Sequence, residues 1–573
     1  MRETITVTAT IEPVPLRSAA RELSLVSRDE LERLPTTSLA DALRLVTSVE
    51  VRARGAFGTQ ADFQIRGASF GQSLILVDGI RINDAQSGHH NADLPVSADE
   101  VDRIEVLRGI GSSLHGADAF GGTIHVVTRA SEGWRGGLSA GSFGAVAGRA
   151  SFGARVGDRA IEGAASASHT DGFMPDRDAD EKRARVRAGL DSKTTLTLAH
   201  LDKEFGANGF YGPSPSREWT QQTMAALSRR LGDPASATSG AVNAFYRTHA
   251  DHFIYNRFNP ALSENRHRTH AFGADARLGR AVGDGIRIAG GIAAGEDRVR
   301  SNNLGDHSYA RASVFGEAQI VRGKTLVYPG VRFDTYQSFG SSVSPSLALA
   351  RSLGSSFTVR ASGGHAFRVP TYTELYYRDP NNQARSDLTP EKAWSVESGV
   401  EWAGVQGLIL SATAFSRWDD SVIDWVRAST LEKWHTENLR DVRTRGLEFG
   451  VRHSLRGRGT LSLGFTGLRQ SSSVAATLSK YVLDYAPRSF AGALSGRVGR
   501  VFEGGVSTNY KLRKDRRSYW LVDARVSRAL GRARVFVDGL NLLDTTYEEV
   551  KGVAMPGRSI AAGISFASRG SRP

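Results

Sequence analysis

The side chains best suited to chemistry are few. His89 and His90 stand together in "NDAQSGHHNADLP". Adjacent residues of a loop or strand seldom present both rings to one metal, and no further ligand spacing accompanies them, so a pair of loop histidines is the plainer reading. Asp171, Asp176, Asp178 and Asp180, with Glu181 behind them, make an acidic run in "DGFMPDRDADE". Its oxygen donors suit a structural calcium ion, although the spacing is not that of an EF-hand, and a solvated loop is the alternative. "RIEVLRGIGSSLHGADAFGG" places Gly109 and Gly111 after a strand-like run, as a dinucleotide fingerprint would. The third glycine is misplaced, no acidic residue closes a βαβ unit, and the Lys-Ser/Thr of a phosphate loop is missing. These glycines read as turn formers. No nucleophile with an oriented base stands out, and with no cysteine there is no thiol, disulfide or zinc–cysteine chemistry. The residues point away from an enzyme and require no cofactor beyond that calcium ion.

The elements that would position these residues fall into two textures. Residues 20–130 read as a small mixed domain. Leu31, Leu34, Leu39, Leu43 and Val46 have the spacing of one or two short helices broken at Pro35, with Thr37 or Ser38 as N-cap. Short strands follow over 63–66, 74–77, 101–107 and 123–128, parted by turns such as "DGIRIND". From about residue 136 to 566 the pattern becomes alternation. "FTVRAS" sets Phe357, Val359 and Ala361 against Thr358, Arg360 and Ser362; "TLSLGFTGL" aligns Leu461, Leu463 and Phe465; "TTLTLAHL" alternates Thr195 and Thr197 with Leu196 and Leu198. One face is apolar and the other carries Arg, Thr, Ser and Asp, as a wide membrane barrel with a wet lumen requires. The length supplies roughly 20–24 strands; a β-propeller is the competing architecture.

Composition narrows the classes. The chain has 573 residues, 62 of them glycine, and a formal net charge of +13. No apolar run approaches the ~18 residues of a membrane helix, which leaves a strand barrel open. The basic residues are scattered singly, without a recognisable nucleic-acid module. The charge therefore suits the phosphates of lipid headgroups and no nucleic acid. The chain opens "MRETITVTATIEPVPL": a strand-like run, stopped by Glu12-Pro13-Val14-Pro15, with no hairpin partner nearby and no apolar leader ahead of it. A cytosolic chain or a mature chain whose leader has been removed both fit.

At this point the sequence resembles the TonB-dependent outer-membrane receptors over nearly its whole length. "LADALRLVTSVEVRARG", "FQIRGASFGQSLILVDGIRIND" and "VDRIEVLRGIGSSLHGADAFGGTIHVVT" follow the family's plug pattern in order and spacing. "GGHAFRVPTYTELYY…DLTPEKAWSVESGVEW", "ENLRDVRTRGLE" and "GLNLLDTTYEE…MPGRS" resemble its barrel marks. Ile110 stands where the family usually has Pro, His115 where it has Tyr, His125 where it has Asn, and "ASRGSRP" extends past Phe566, where a family barrel usually ends.

The resemblance implies an all-β membrane protein of the bacterial outer membrane: a 22-stranded antiparallel barrel, residues 133–573, closed by an α+β plug, residues 16–132, behind a TonB box and linker, residues 1–15. It implies import of a scarce, bulky nutrient, cobalamin or an iron–siderophore complex, driven through TonB, with short loops leaning to the cobalamin-transporter-like branch. It also implies outer-membrane lipid and lipopolysaccharide, or an anionic ligand, as the partners of the basic charge. A passive porin or surface-binding barrel is the alternative; a monomer is expected. Glu3, Thr4, Ile5, Thr6, Val7, Thr8 and Ala9 match the TonB box, which would add as a strand to the TonB C-terminal domain, with the proline segment as a stiff spacer. Phe57, Gln60, Phe70, Gln72, Gln86, His89, His90 and Asn91 would floor the ligand cavity at the plug apices. Arg66, Glu105 and Arg108 occupy the family's buried charge positions, with Glu397 and Glu448 as barrel partners in an electrostatic latch.

Overall fold

A computed structural model describes residues 5–6, 8–233, 236–455, 458–472, 478–515 and 517–568, with backbone only at 5, 6, 17 and 57. Beyond the plug, 22 antiparallel strands run in sequence order from Gly133–Gly141 to Ser559–Ala567, and these two pair to close a barrel. Closure removes the unpaired edges that a bilayer would not tolerate. The alternation has the expected sense. Phe357, Val359, Leu198 and Phe465 point outward and are exposed. Their neighbours turn in: Arg360 donates to the Ala19 carbonyl and Thr466 meets Ser48. Turns at one rim are short, as between Val146–Val156 and Arg159–Thr170, whereas connections such as 369–390, 421–441 and 541–558 at the other rim are long, the periplasmic and extracellular ends respectively.

The plug fills the lumen. Its mixed sheet has the order Leu23–Ser27, Val101–Arg108, Gly122–Thr128, Ser73–Val77, Ile80–Arg81, beside a hairpin of Val49–Ala53 and Ala61–Ile65. Helix Arg28–Arg33 ends ahead of Pro35, and Leu39–Leu43 starts at Ser38, whose hydroxyl accepts from Asp41 N while Asp41 reaches back. Leu31, Leu39, Leu43, Val51, Phe63, Ile75, Ile104 and Val126 share one apolar core, which Ala199, Met224, Ala226 and Met555 of the barrel join, so the plug is folded around its own interior and held in the barrel by apolar as well as polar contacts. A second, four-stranded sheet at the outer rim (Asn382–Gln383, Trp434–Leu439, Val422–Arg427, Leu478–Ser479) roofs part of the mouth.

The N-terminal segment corrects the sequence reading. Ile5–Thr6 does have a hairpin partner, Val14–Pro15, with Ile5 opposite Pro15 and Thr6 opposite Val14. A two-residue edge ladder tolerates proline where a longer strand would not. Nor is the segment loose: Thr8 and Ala9 are buried, Arg21 donates to the Ala9 carbonyl at 2.7 Å, and Glu12 is bonded by Arg287 and Ser239 of the barrel. The expected stiff spacer is thus anchored to the lumen wall. Glu3, Thr4 and Val7 lie outside the described residues.

Candidate functional site

The outward face of the plug floors a cavity of about 1770 Å³ open to the extracellular rim, larger than the ~300–1,000 Å³ of pockets for drug-sized ligands. Phe70 and His89 form its central platform, stacked with ring centroids 4.2 Å apart, and Tyr481 meets both edge-on. Gly88 permits the stack, because a Cβ there would lie 2.6 Å from the Phe70 ring. His89 Nδ1 is 2.8 Å from Asp62 Oδ1; burial lowers the imidazole pKa and Asp62 only partly offsets that. Gln86 and His90 also line the floor, and Trp425, Trp434, Lys433, Lys480 and Lys551 line the walls and rim.

Three of the expected floor residues do not face the cavity. Gln60 is buried and donates to the Tyr211 hydroxyl at 2.6 Å. Gln72 caps the turn Phe70–Gln72 through Ser69 N and donates to Glu391. Asn91 accepts from Asp84 N, pinning the loop. Gln72 and Asn91 are spent on fixing apical loops that must leave regular structure inside a crowded lumen, and the Gln60 amide nitrogen is taken by Tyr211 of the barrel. The side chain of Phe57 lies outside the described residues.

Below the floor, charges join plug to barrel. Arg66 has φ 51°, and this left-handed turn aims its guanidinium at the wall. Its Nε and Nη2 bind Glu448 bidentately at 2.6 and 2.8 Å, and Nη1 bonds Glu397. Arg108 adds 2.6 Å to Glu448 and 3.1 Å to Glu22; Ser48 and Ser362 donate to Glu448 and Glu397. Burial opposes the charge on Arg66, but Glu448 and Glu397 hold its pKa above the ordinary arginine value. Gly109 is required beside it: φ is 85°, and a Cβ would sit 3.0 Å from Arg66 Nη1. Glu105 is not in this cluster's ion pairs. It is buried and takes Arg103 at 2.8 Å and the Thr8 hydroxyl at 2.7 Å, because its strand position faces the N-terminal segment.

The sequence reading missed a second cluster. Arg368 binds Glu391 through Nε and Nη2, each at 2.7 Å, and Glu374 through Nη1 and Nη2, each at 2.9 Å; Gln72 of the plug joins at Glu391. These are the Arg, Glu and Glu of the barrel motif "FRVPTYTEL…TPE", and their recurrence in one motif was the available signal. The acidic run is not brought together. Asp171 and Asp180 flank His169, Asp178 pairs with Arg217 at 3.0 Å, and Asp176 with Arg257 at 2.8 Å.

His115 and His125, two of the departures from the plug pattern, converge on one residue. His115 Nε2 lies 2.9 Å from the Thr8 carbonyl, and His125 Nδ1 lies 3.0 Å from the Thr8 hydroxyl while its Nε2 accepts from Gly79 N. Burial pushes the His115 pKa down to about 3, so the ring is neutral and donates to the carbonyl.

A closed barrel of 22 strands, a folded plug in its lumen and a large outward cavity on that plug define a gated uptake barrel, not an open pore. Residues 117–542 match the family model for the β-barrel of TonB-dependent receptors and residues 15–123 match the TonB-dependent receptor plug domain; the chain belongs to the TonB-dependent receptor family, whose members import nutrients through the outer membrane in concert with TonB. Among curated relatives, the vitamin B12 transporter BtuB of Vibrio vulnificus (strain CMCP6) is 27% identical over 478 residues, covering 78% of this chain and 74% of the relative. The vitamin B12 transporter BtuB of Photobacterium profundum is 25% identical, covering 78% and 75%. The fold matches the siderophore receptor PirA of Pseudomonas aeruginosa (TM-score 0.75, 18% identity, 95% and 99% of the two chains) and a variant of that organism's ferric enterobactin receptor PfeA (0.79, 16%, 99% and 100%).

Proposed function

We propose that the cargo is a corrinoid, taken from the extracellular side into the cavity above Phe70 and His89 and released to the periplasm when TonB pulls on residues 3–9. The observation that carries this reading is the cavity itself: it accommodates a bulky, ring-rich ligand, and its aromatic platform and backbone-fixed loops offer flat apolar contact beside hydrogen-bonding groups. The BtuB relatives supply the corrinoid class. The exposed apolar side chains of the outer wall, Trp134, Leu138 and Val396 among them, face lipid, the rim basic residues meet lipopolysaccharide phosphates, and the protein works as a monomer.

A ferric siderophore is the second reading. Lys433, Lys480 and Lys551 at the rim make no ion pair among the described residues, and they favour an anionic chelate. Binding of labelled cyanocobalamin to outer-membrane vesicles, competed with ferric siderophores, separates the two. Saturable cobalamin binding weakened in Phe70→Ala and His89→Ala supports the corrinoid; binding of a labelled ferric siderophore with no cobalamin binding transfers the proposal to the chelate.

A further inference from the structure

One group of residues in the cavity floor is unexplained by either cargo. His90 comes from the plug turn Gly88–His90, Glu218 from the barrel strand Arg217–Leu231 and Asp251 from its neighbour Thr238–Ile254. Thr220 is opposite Asp251, which makes Glu218 and Asp251 diagonal neighbours on the inward face. One ligand atom from each of the three residues lies within 4.8 Å of the others, and all three are buried. His90 Nε2 and Asp251 Oδ2 are 3.3 Å apart, about the ~3.4 Å that separates two donors held at ~2.1 Å by one tetrahedral ion.

Two carboxylates share one imidazole here: the His90 ring is the charge partner of Asp251, and Glu218 has none among the described residues. Among the described residues neither Glu218 nor Asp251 is paired with Lys or Arg. Glu218 has the Tyr211 hydroxyl at 3.3 Å, and Asp251 has Gln86 at 2.7 Å on one oxygen only. Among the described residues Asp251 Oδ1 is buried with no hydrogen-bond partner, a costly state for a carboxylate oxygen. Asp93 shows the contrast. It sits against the other ring nitrogen of His90, at 3.8 Å, and is saturated by Lys203 and by His249 at 2.9 Å. At that distance it makes no hydrogen bond to Nδ1 but sets a negative charge behind the imidazole, while Nε2 faces Asp251.

We infer that His90, Glu218 and Asp251 form a binding site for a divalent transition-metal ion at the floor of the extracellular cavity, joining plug to barrel wall. One imidazole and two carboxylates suit Zn²⁺, Co²⁺ or Mn²⁺; Ca²⁺ would want six or more oxygens, which this floor does not supply. The three residues line the cavity, so the ion enters from outside and keeps an open coordination position toward it. The site exists whichever nutrient the receptor carries, and its test is independent of transport.

The test uses the full chain in detergent, stripped with chelator and titrated with Co²⁺ by visible absorption and with Zn²⁺ by calorimetry. One equivalent of each is expected, with affinity falling at least about tenfold in Glu218→Gln, in Asp251→Asn and in His90→Ala, and Ca²⁺ failing to compete. Anomalous scattering from zinc-soaked crystals of the unaltered protein, which needs no variant, should place one peak among the three donors. No stoichiometric binding, an affinity indifferent to all three substitutions, effective competition by Ca²⁺, or a peak elsewhere would each overturn the site.

Discussion

Arg66→Ala tests the charge cluster between plug and barrel. Glu448 loses two of its bonds to guanidinium groups but keeps Arg108 and Ser48; Glu397 loses its only ion pair among the described residues and keeps Ser362. Arg66, Arg108, Glu22, Glu397 and Glu448 carry a net charge of −1, which becomes −2 in the variant. Breaking one partner of a buried pair costs about 3–5 kcal/mol. With Arg108 still in place the lower end applies, about 3 kcal/mol, or about two orders of magnitude in an opening equilibrium. The chain has no cysteine, so a single Ser113→Cys, buried where the plug meets Ser346 of the barrel, is the sole thiol, and its maleimide labelling rate in outer-membrane vesicles reports plug opening. Labelling should accelerate about a hundredfold in Arg66→Ala and recover in part when Glu397→Gln restores the net charge of −1. A rate unchanged by Arg66→Ala would show that packing and not this cluster holds the plug in register.

Three further outcomes follow from the same geometry. Phe70→Ala removes the stacked partner of His89, about 0.5–1.5 kcal/mol, and cobalamin binding to vesicles should weaken up to about tenfold while the melting temperature of the barrel holds. Since burial depresses the His115 pKa to about 3 from 6.5, against the opposing pull of the Thr8 carbonyl, the stability contributed by burying this ring neutral is fully present above pH 6.5 and lost as pH falls toward 3. Arg21, Arg332 and His125 also face this ring. A spin label near residue 10 should gain mobility on acidification to about pH 4, and in His115→Phe that gain should be smaller. Because Asp176 and Asp178 are held by different arginines and Asp171 and Asp180 by the two ring nitrogens of His169, calcium at millimolar level should leave proteolysis of this loop unchanged; protection on adding calcium would show that the four residues regroup around an ion.

Much of the architecture is local and therefore readable. Ser38 announces its helix by the Asp three residues on, and outward Phe357 and Val359 follow from period-2 alternation. Arg66, Arg108, Glu397 and Glu448 were found through resemblance to the family, since residues hundreds of positions apart meet only when the barrel closes. What failed was orientation in loops. Gln60, Gln72 and Asn91 look like their cavity-lining neighbours in sequence, but each is claimed by a backbone group or side chain inside the lumen. The opening strand was misjudged because a two-residue ladder leaves no pattern, and its anchors, Glu317, which accepts from Ile11 N and Arg21, and Arg287, which bonds Glu12, lie far along the chain. His90, Glu218 and Asp251 share no motif at all; strand register and plug docking alone assemble them.

The central claim is energised import. Cells lacking their own cobalamin receptor and expressing this chain should accumulate labelled cyanocobalamin. Accumulation should stop on adding a protonophore, in a strain without TonB, and on deleting residues 3–9, while surface binding persists in all three. Uptake that continues at full rate after the proton gradient is collapsed would contradict the account and return the protein to the class of passive pores.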